Sequence, residues 1–201
     1  MSRRATVTRQ TRETSIHLEL DLDGDGTATI STGIPFFDHM LEQVARHGLY
    51  DLRIEARGDL EVDAHHTVED TAIVLGQAFD QALGSRRGIG RFGFMRCPLD
   101  EAAAEVSVDF GGRPYLVFHP GPLEGRRGEV LGGLPVDLVD HIFQSFASAA
   151  KANVHARLLY GENLHHLVEA LFKAFARACR MATDPDPRQS GVPSTKGTLE
   201  G

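Results

Sequence analysis

The sequence predicts a layered α/β or α+β domain made of two matched halves, on three observations. Short stretches alternate apolar and polar residues at the period of a half-buried strand, and four longer stretches carry apolar residues at helical spacing. One arrangement of histidines and acids also occurs twice. The 201 residues match roughly one domain's length, and 41% hydrophobic content is enough to build a core.

The first strand is expected over 15–22, where Leu18, Leu20 and Leu22 alternate with Glu19 and Asp21. Asp23-Gly24-Asp25-Gly26 should turn the chain, and the β-branched run Thr27 to Thr32 should return as its hairpin partner. A helix follows at about 36–47, with Met40, Leu41 and Val44 on one face and His39, Gln43 and His47 on another. Tyr50–Ala56 reads as a strand and about 67–83 as a helix. Strand signals recur at Glu105–Phe110, Tyr115–His119 and Asn153–Tyr160, and helical spacing at about 136–150 and 164–182. From Thr183 the chain is rich in Pro, Gly and Ser, which predicts an irregular tail in which Lys196, beside Ser194 and Thr195, could close over an anion.

The repeat carries the most information. Phe36-Phe37-Asp38-His39-Met40-Leu41 is echoed by Leu138-Val139-Asp140-His141-Ile142-Phe143, and His65-His66-Thr67-Val68-Glu69 by His165-His166-Leu167-Val168-Glu169. The lone histidine precedes its pair by 26 residues in one half and 24 in the other, and each pair opens a long helix. We place the halves at about 1–95 and 96–185, followed by a tail over 186–201 within a single domain.

Residues three and four apart share a helix face, so either histidine of a pair can converge with the following glutamate on one ion. Adjacent histidines point about 100° apart, which suits two ions better than one. His39, His65, His66, Glu69, His141, His165, His166 and Glu169 supply eight ligands, four for each of two ions. Four protein ligands complete a structural tetrahedral site but leave two open positions on an octahedral ion, and open positions permit chemistry. The plainer alternative is packed or surface histidines, with Thr67 and Asp70 forming a capping box. Capping requires neither the histidines nor their duplication.

Other features exclude functions. Asp21 to Gly26 begins like a calcium loop, but its twelfth position is Thr32, not an acid. Gly88-Ile89-Gly90-Arg91-Phe92-Gly93 fits a dinucleotide fingerprint but follows a helix and opens none. Its neighbours Arg86 and Arg87, with Arg91, are candidates to grip a phosphate. The net charge of −7 argues against nucleic acid, and no stretch nears the ~18 apolar residues of a membrane span. Cys97 and Cys179 lack any paired spacing, so a reducing cytosol is expected.

Several stretches resemble the imidazoleglycerol-phosphate dehydratases of histidine biosynthesis. They are Arg12-Glu13-Thr14, Thr32 to Leu41, Asp63 to Asp70, Gly88 to Gly93, Gly112-Arg113-Pro114-Tyr115, Asn163 to Glu169 and Pro193 to Gly197. Two departures stand out: Cys97-Pro98-Leu99-Asp100 replaces an expected Val-Pro-Met-Asp, and Gly121–Gly133 matches nothing assignable. The length leaves no room for the phosphatase domain fused to some relatives.

The resemblance implies an α+β fold in which each half is a four-stranded mixed sheet with two helices on one face, the helices lying between the sheets. It implies a homo-oligomer, a 24-mer built from trimers, with two Mn²⁺ per active site. One ion would be held by His39, His66, Glu69 and His165, the other by His65, His141, His166 and Glu169. The implied reaction dehydrates a phosphorylated imidazole substrate, imidazole glycerol phosphate, to imidazole acetol phosphate. Its difficulty is a C–H beside no carbonyl; a ring held as imidazolate can expel the adjacent hydroxyl and acidify that C–H. Glu13 is implied as the proton carrier with Glu169 as a second carboxylate. Arg91, Arg113, Ser194, Thr195 and Lys196 are implied around the phosphate, and His39, Gln43 and His47 as further substrate contacts. A dinuclear metal hydrolase and a metal-assembled storage shell remain as alternatives.

Overall fold

A computed structural model describes residues 3–199. The first half runs β1 (Arg4–Gln10), β2 (Thr14–Asp21), β3 (Ala28–Ser31), α1 (Pro35–Gly48), β4 (Asp51–Gly58) and α2 (His65–Leu83). The second runs β5 (Phe92–Leu99), β6 (Ala102–Asp109) and β7 (Tyr115–His119), then a small hairpin of β8 (Val130–Leu131) and β9 (Leu134–Pro135). It closes with α3 (Leu138–Ala149), β10 (Asn153–Tyr160) and α4 (Leu164–Thr183). The strand opening the second half starts at Phe92.

The two large sheets share one topology, β1-β2-β4-β3 and β5-β6-β10-β7. In each, two antiparallel pairings are followed by one parallel pairing, β3 on β4 and β7 on β10. The expected hairpin between the first strand and Thr27–Thr32 is therefore wrong, because β4 lies between them. Asp51 at the head of β4 accepts the backbone N–H groups of Asp25 and Thr27 through one oxygen, which carries the connection across. Asp23 in the same loop pairs with Arg3. The acidic loop thus satisfies the protein's own donors, as a turn.

Alternation puts Ile16, Leu18 and Leu20 of β2 and Leu52, Ile54 and Ala56 of β4 inside. Helices fill the space between the sheets, and they pair across the halves: α2 packs on β1, β2 and α3, while α4 packs on β5, β6 and α1. Close approach is built in at two glycines. A Cβ on Gly93 of β5 would stand 1.8 Å from the Ala178 carbonyl oxygen of α4, and one on Gly76 of α2 would stand 2.7 Å from the Phe146 carbonyl oxygen of α3. This cross-pairing sets each lone histidine beside the opposite half's His-His helix.

The segment Gly121–Gly133, unassigned from sequence, forms a 3₁₀ turn over Gly121–Arg126 and then enters the β8–β9 hairpin. It buries Leu123, and the Gly132 carbonyl accepts the N–H of Phe36, so the loop seats the start of α1. The Gly88–Gly93 loop also has a structural role, since the N–H groups of Gly88, Gly90 and Arg91 bond the carbonyls of Gly191, Asp184 and Ala182. Among the described residues no helix is long and apolar enough to cross a membrane.

Candidate metal centre

Helix starts present the paired histidines. Asn163 caps α4 by accepting from the N–H groups of His165 and His166, and Asp63 accepts from the N–H of His65 at 2.7 Å. The imagined capping box does not form: Asp70 is buried and accepts from Thr14 Oγ1 at 2.5 Å, with Arg9 Nε 2.9 Å away. Asp70 instead ties the β1–β2 turn, which carries Glu13, to α2.

Two triads result. His39, His165 and Glu169 form one, and His65, Glu69 and His141 the other; within each, the ligand atoms all lie within 4.8 Å of one another. In the first, Glu169 Oε2 is 2.8 Å from His165 Nε2 and 3.3 Å from His39 Nε2. In the second, Glu69 Oε1 is 3.1 Å from His141 Nε2 and Oε2 is 3.9 Å from His65 Nε2. Each triad joins one half's lone histidine to the other half's His-x-x-x-Glu. Within one chain the glutamates are exchanged relative to the division implied by the resemblance. The reason is local: His65 and Glu69, like His165 and Glu169, are four apart on one helix face, whereas His66 and His166 are turned aside by one residue.

Those two imidazoles stand outside the triads in matching surroundings. His66 Nδ1 is bonded to Asp59 at 3.0 Å with its Nε2 3.9 Å from Glu13, and His166 Nδ1 is bonded to Glu101 at 2.7 Å with its Nε2 3.8 Å from Asp100. The carboxylate in each case raises the imidazole's pKa. Glu101 is held down to about 2, first by His166. Burial would raise Glu169, yet hydrogen bonds from Lys173, His165 and His39 outweigh it and hold that carboxyl at about 2 as well.

A cation fits the triads. Imidazole nitrogens and carboxylate oxygens are proper donors for Mn²⁺ and its divalent neighbours. His141 Nε2 is buried without a hydrogen-bond partner although Glu69 lies beside it, the state expected of a nitrogen whose lone pair serves an ion.

Arg91, Arg113, Ser194, Thr195 and Lys196 meet around one cavity of about 730 Å³, whose lining includes no triad residue. Arg91 grips Asp109 through Nε and Nη2 at 2.6 and 2.9 Å and donates Nη1 to the Pro193 carbonyl, so it also fastens the tail. Arg86 does not join them: it is buried against Asp80 and the Ala150 carbonyl. Among the described residues Arg87 reaches the Ser190 carbonyl, at 3.4 Å. On α1, Gln43 Oε1 lies 3.1 Å from His47 Nε2, and burial, reinforced by Lys173 and Arg177, lowers the pKa of His47. Sequence reasoning overlooked Lys173, Asp59, Glu101 and Asp100. Lys173 carried a signal in its i+4 spacing from Glu169, and Asp100 in the Cys97–Asp100 stretch.

Fold and geometry define a class: an α+β protein of two like halves with a histidine–carboxylate centre on each side of their seam. The imidazoleglycerol-phosphate dehydratase family model matches residues 32–179. Imidazoleglycerol-phosphate dehydratase of Geobacter metallireducens is 53% identical, covering 99% of this chain and 100% of its own, and that of Rhodococcus erythropolis is 54% identical over 97% and 98%. Two solved dehydratase structures superpose: that from Staphylococcus aureus, at 32% identity and TM-score 0.78 over 91% of this chain and 99% of its own, and that from Pyrococcus furiosus, in complex with (S)-C348, at 34% and 0.80 over 96% and 99%. The chain belongs to the imidazoleglycerol-phosphate dehydratase family, whose members are hydro-lyases.

Proposed function

We propose that this protein dehydrates imidazole glycerol phosphate to imidazole acetol phosphate in histidine biosynthesis, using two Mn²⁺ bound at the triads of an assembled 24-mer. The observation that carries the reading is the pair of triads, each joining a lone histidine from one half to a His-x-x-x-Glu from the other. His39, His165 and Glu169 would hold one cation and His65, Glu69 and His141 the other, with His66 and His166 completing the sets of neighbouring copies. When bound, the ions supply Lewis acidity and open positions for the two ring nitrogens.

The chain's own residues do the remaining work. Glu13 lies in an exposed turn fastened by Thr14, Asp70 and Arg9, free to take the proton from the substrate carbon and to return one. Glu169, held ionised by Lys173, His165 and His39, would serve as a metal ligand and as a second carboxylate at the site. Gln43 and His47 fix the substrate's hydroxyls from α1. Arg113, Ser194, Thr195 and Lys196, with the remaining N–H groups of Arg91, bind the phosphate and exclude water as the tail closes. In one chain the basic cavity and the triads share no residue, which supports an active site made of several copies. Two free cysteines accord with a cytosolic location.

Turnover of imidazole glycerol phosphate by the purified protein, before and after chelation and again after Mn²⁺ is restored, tests this. We expect activity to fall by well over tenfold and to return with Mn²⁺. A smaller loss, or release of inorganic phosphate in place of the dehydrated product, would contradict it.

A further inference from the structure

Six of the eight duplicated ligand candidates close into triads, and the other two are held in a different way. Within the triads, Glu69 and Glu169 meet their imidazoles at Nε2. His66 and His166 are held by the opposite edge of the ring. Asp59 accepts from His66 Nδ1 at 3.0 Å, and Glu101 accepts from His166 Nδ1 at 2.7 Å. A carboxylate only accepts, so Nδ1 carries the hydrogen and Nε2 of the neutral ring keeps its lone pair. Among the described residues neither Nε2 is hydrogen-bonded: the carboxylates they face, Glu13 and Asp100, stand 3.9 and 3.8 Å off, beyond hydrogen-bond reach.

Repetition of the sequence does not by itself produce this match. Asp59 stands seven residues before His66, in the connection from β4 to α2, whereas Leu159 stands seven before His166. Glu101 comes instead from the turn between β5 and β6. The halves therefore repeat the imidazole in sequence but supply its anchor from different elements. Each anchor is itself fixed. The N–H of Asp59 donates to the Glu13 carbonyl at 3.1 Å, while Glu101 Oε1 accepts the N–H groups of Glu162 and Asn163 at 3.2 and 2.7 Å and leaves Oε2 for the ring. His66 and His166 are partly exposed and lie outside the triads, so within one chain the bond at Nδ1 decides which ring edge faces outward.

We propose that Asp59 and Glu101 are positioning residues: each fixes the tautomer and direction of one imidazole, so that its Nε2 is preset to bind a cation shared with another copy of the chain. The proposal rests on reading the duplicated histidines as metal ligands. It accounts for why the two imidazoles without a place in either triad are the two with a carboxylate bonded behind them. A ligand offered across a boundary between copies gains most from being ordered in advance, because the cost of fixing the ring is then met within the chain and not at the moment of binding.

Mn²⁺ titration of the full-length protein, with free Mn²⁺ followed by electron paramagnetic resonance, tests this without any turnover. Asp59→Ala should weaken Mn²⁺ binding by about 10–100-fold. Asp59→Asn should stay within a few-fold of native, because its amide oxygen can still accept from Nδ1. Added to His66→Ala, Asp59→Ala should weaken binding no further, since the ring it positions is gone. A partly exposed ion pair contributes little to stability, so Asp59→Ala should fold; if it does not, Glu101→Ala and His166→Ala provide the same comparison in the other half. A loss of less than a few-fold in Asp59→Ala, equal losses in the Asn and Ala variants, or a full further loss on the His66→Ala background would overturn the proposal. Failure of the native protein to bind Mn²⁺ would instead overturn the metal reading beneath it.

Discussion

Glu13 and Glu169 are two carboxylates with separate surroundings, and the proposed chemistry assigns them separate tasks. Glu169 is enclosed by Lys173 and two imidazoles, whereas Glu13 is 54% exposed on a turn, free of any such clamp. A proton carrier needs that freedom. Glu13→Gln should lower turnover by about 10²–10⁴-fold while bound Mn²⁺ per chain stays unchanged, as measured by steady-state kinetics beside metal analysis. Activity within a few-fold of native would remove Glu13 from the proton-transfer role. The eight ligand candidates were legible because they repeat. Their grouping was less so, since assigning Glu69 and Glu169 to triads depends on which helices pair across the seam. Asp59 and Glu101 were invisible in sequence for a similar reason: they lie 7 and 65 residues from the imidazoles they bond, and only folding makes them partners.

At the scale of elements, the site depends on how closely the helices pack. Gly76 lets α2 approach α3 until His65 and His141 stand with ring centroids 4.7 Å apart. Gly76→Ala would gain about 1 kcal/mol in helix propensity but force a methyl group against the Phe146 carbonyl and the Ala150 N–H. We expect net destabilisation of about 1–3 kcal/mol by chemical denaturation, together with weaker Mn²⁺ binding at that triad. A stabilised variant with unchanged Mn²⁺ affinity would show that the contact does not set the centre. All four helices and six of the ten strands were legible from periodicity, but β1, β5 and the short β8–β9 hairpin were not. In β1 only Ala5 and Val7 are buried among Arg, Thr and Gln. In β5 the outward residues include Phe92 and Phe94 while Gly93 faces in, which inverts the usual pattern. The order of β3 and β4 was misread because hairpin signals describe local turns, whereas Asp51 directs a crossover.

Taken whole, one chain holds the parts of the proposed active site without closing it. Six of the eight ligand candidates form triads, two imidazoles are held apart by Asp59 and Glu101, and the basic cavity touches none of them. Assembly of copies would resolve all three facts, and ligands shared between copies would link metal binding to oligomer mass. Light scattering should give the mass of a 24-mer with Mn²⁺ and a smaller species after chelation. His66→Ala or His166→Ala should yield the smaller species even with Mn²⁺ present. A chain that stays monomeric with Mn²⁺ and is still active would refute the shared site.

The central claim is that the two halves lend their histidines and glutamates crosswise to two cations. Anomalous diffraction from crystals grown with Mn²⁺ tests it most directly. The account expects two manganese peaks for every chain, one bonded to His39, His165 and Glu169 and the other to His65, Glu69 and His141. Peaks lying elsewhere, or one peak with either triad left bare, would contradict it.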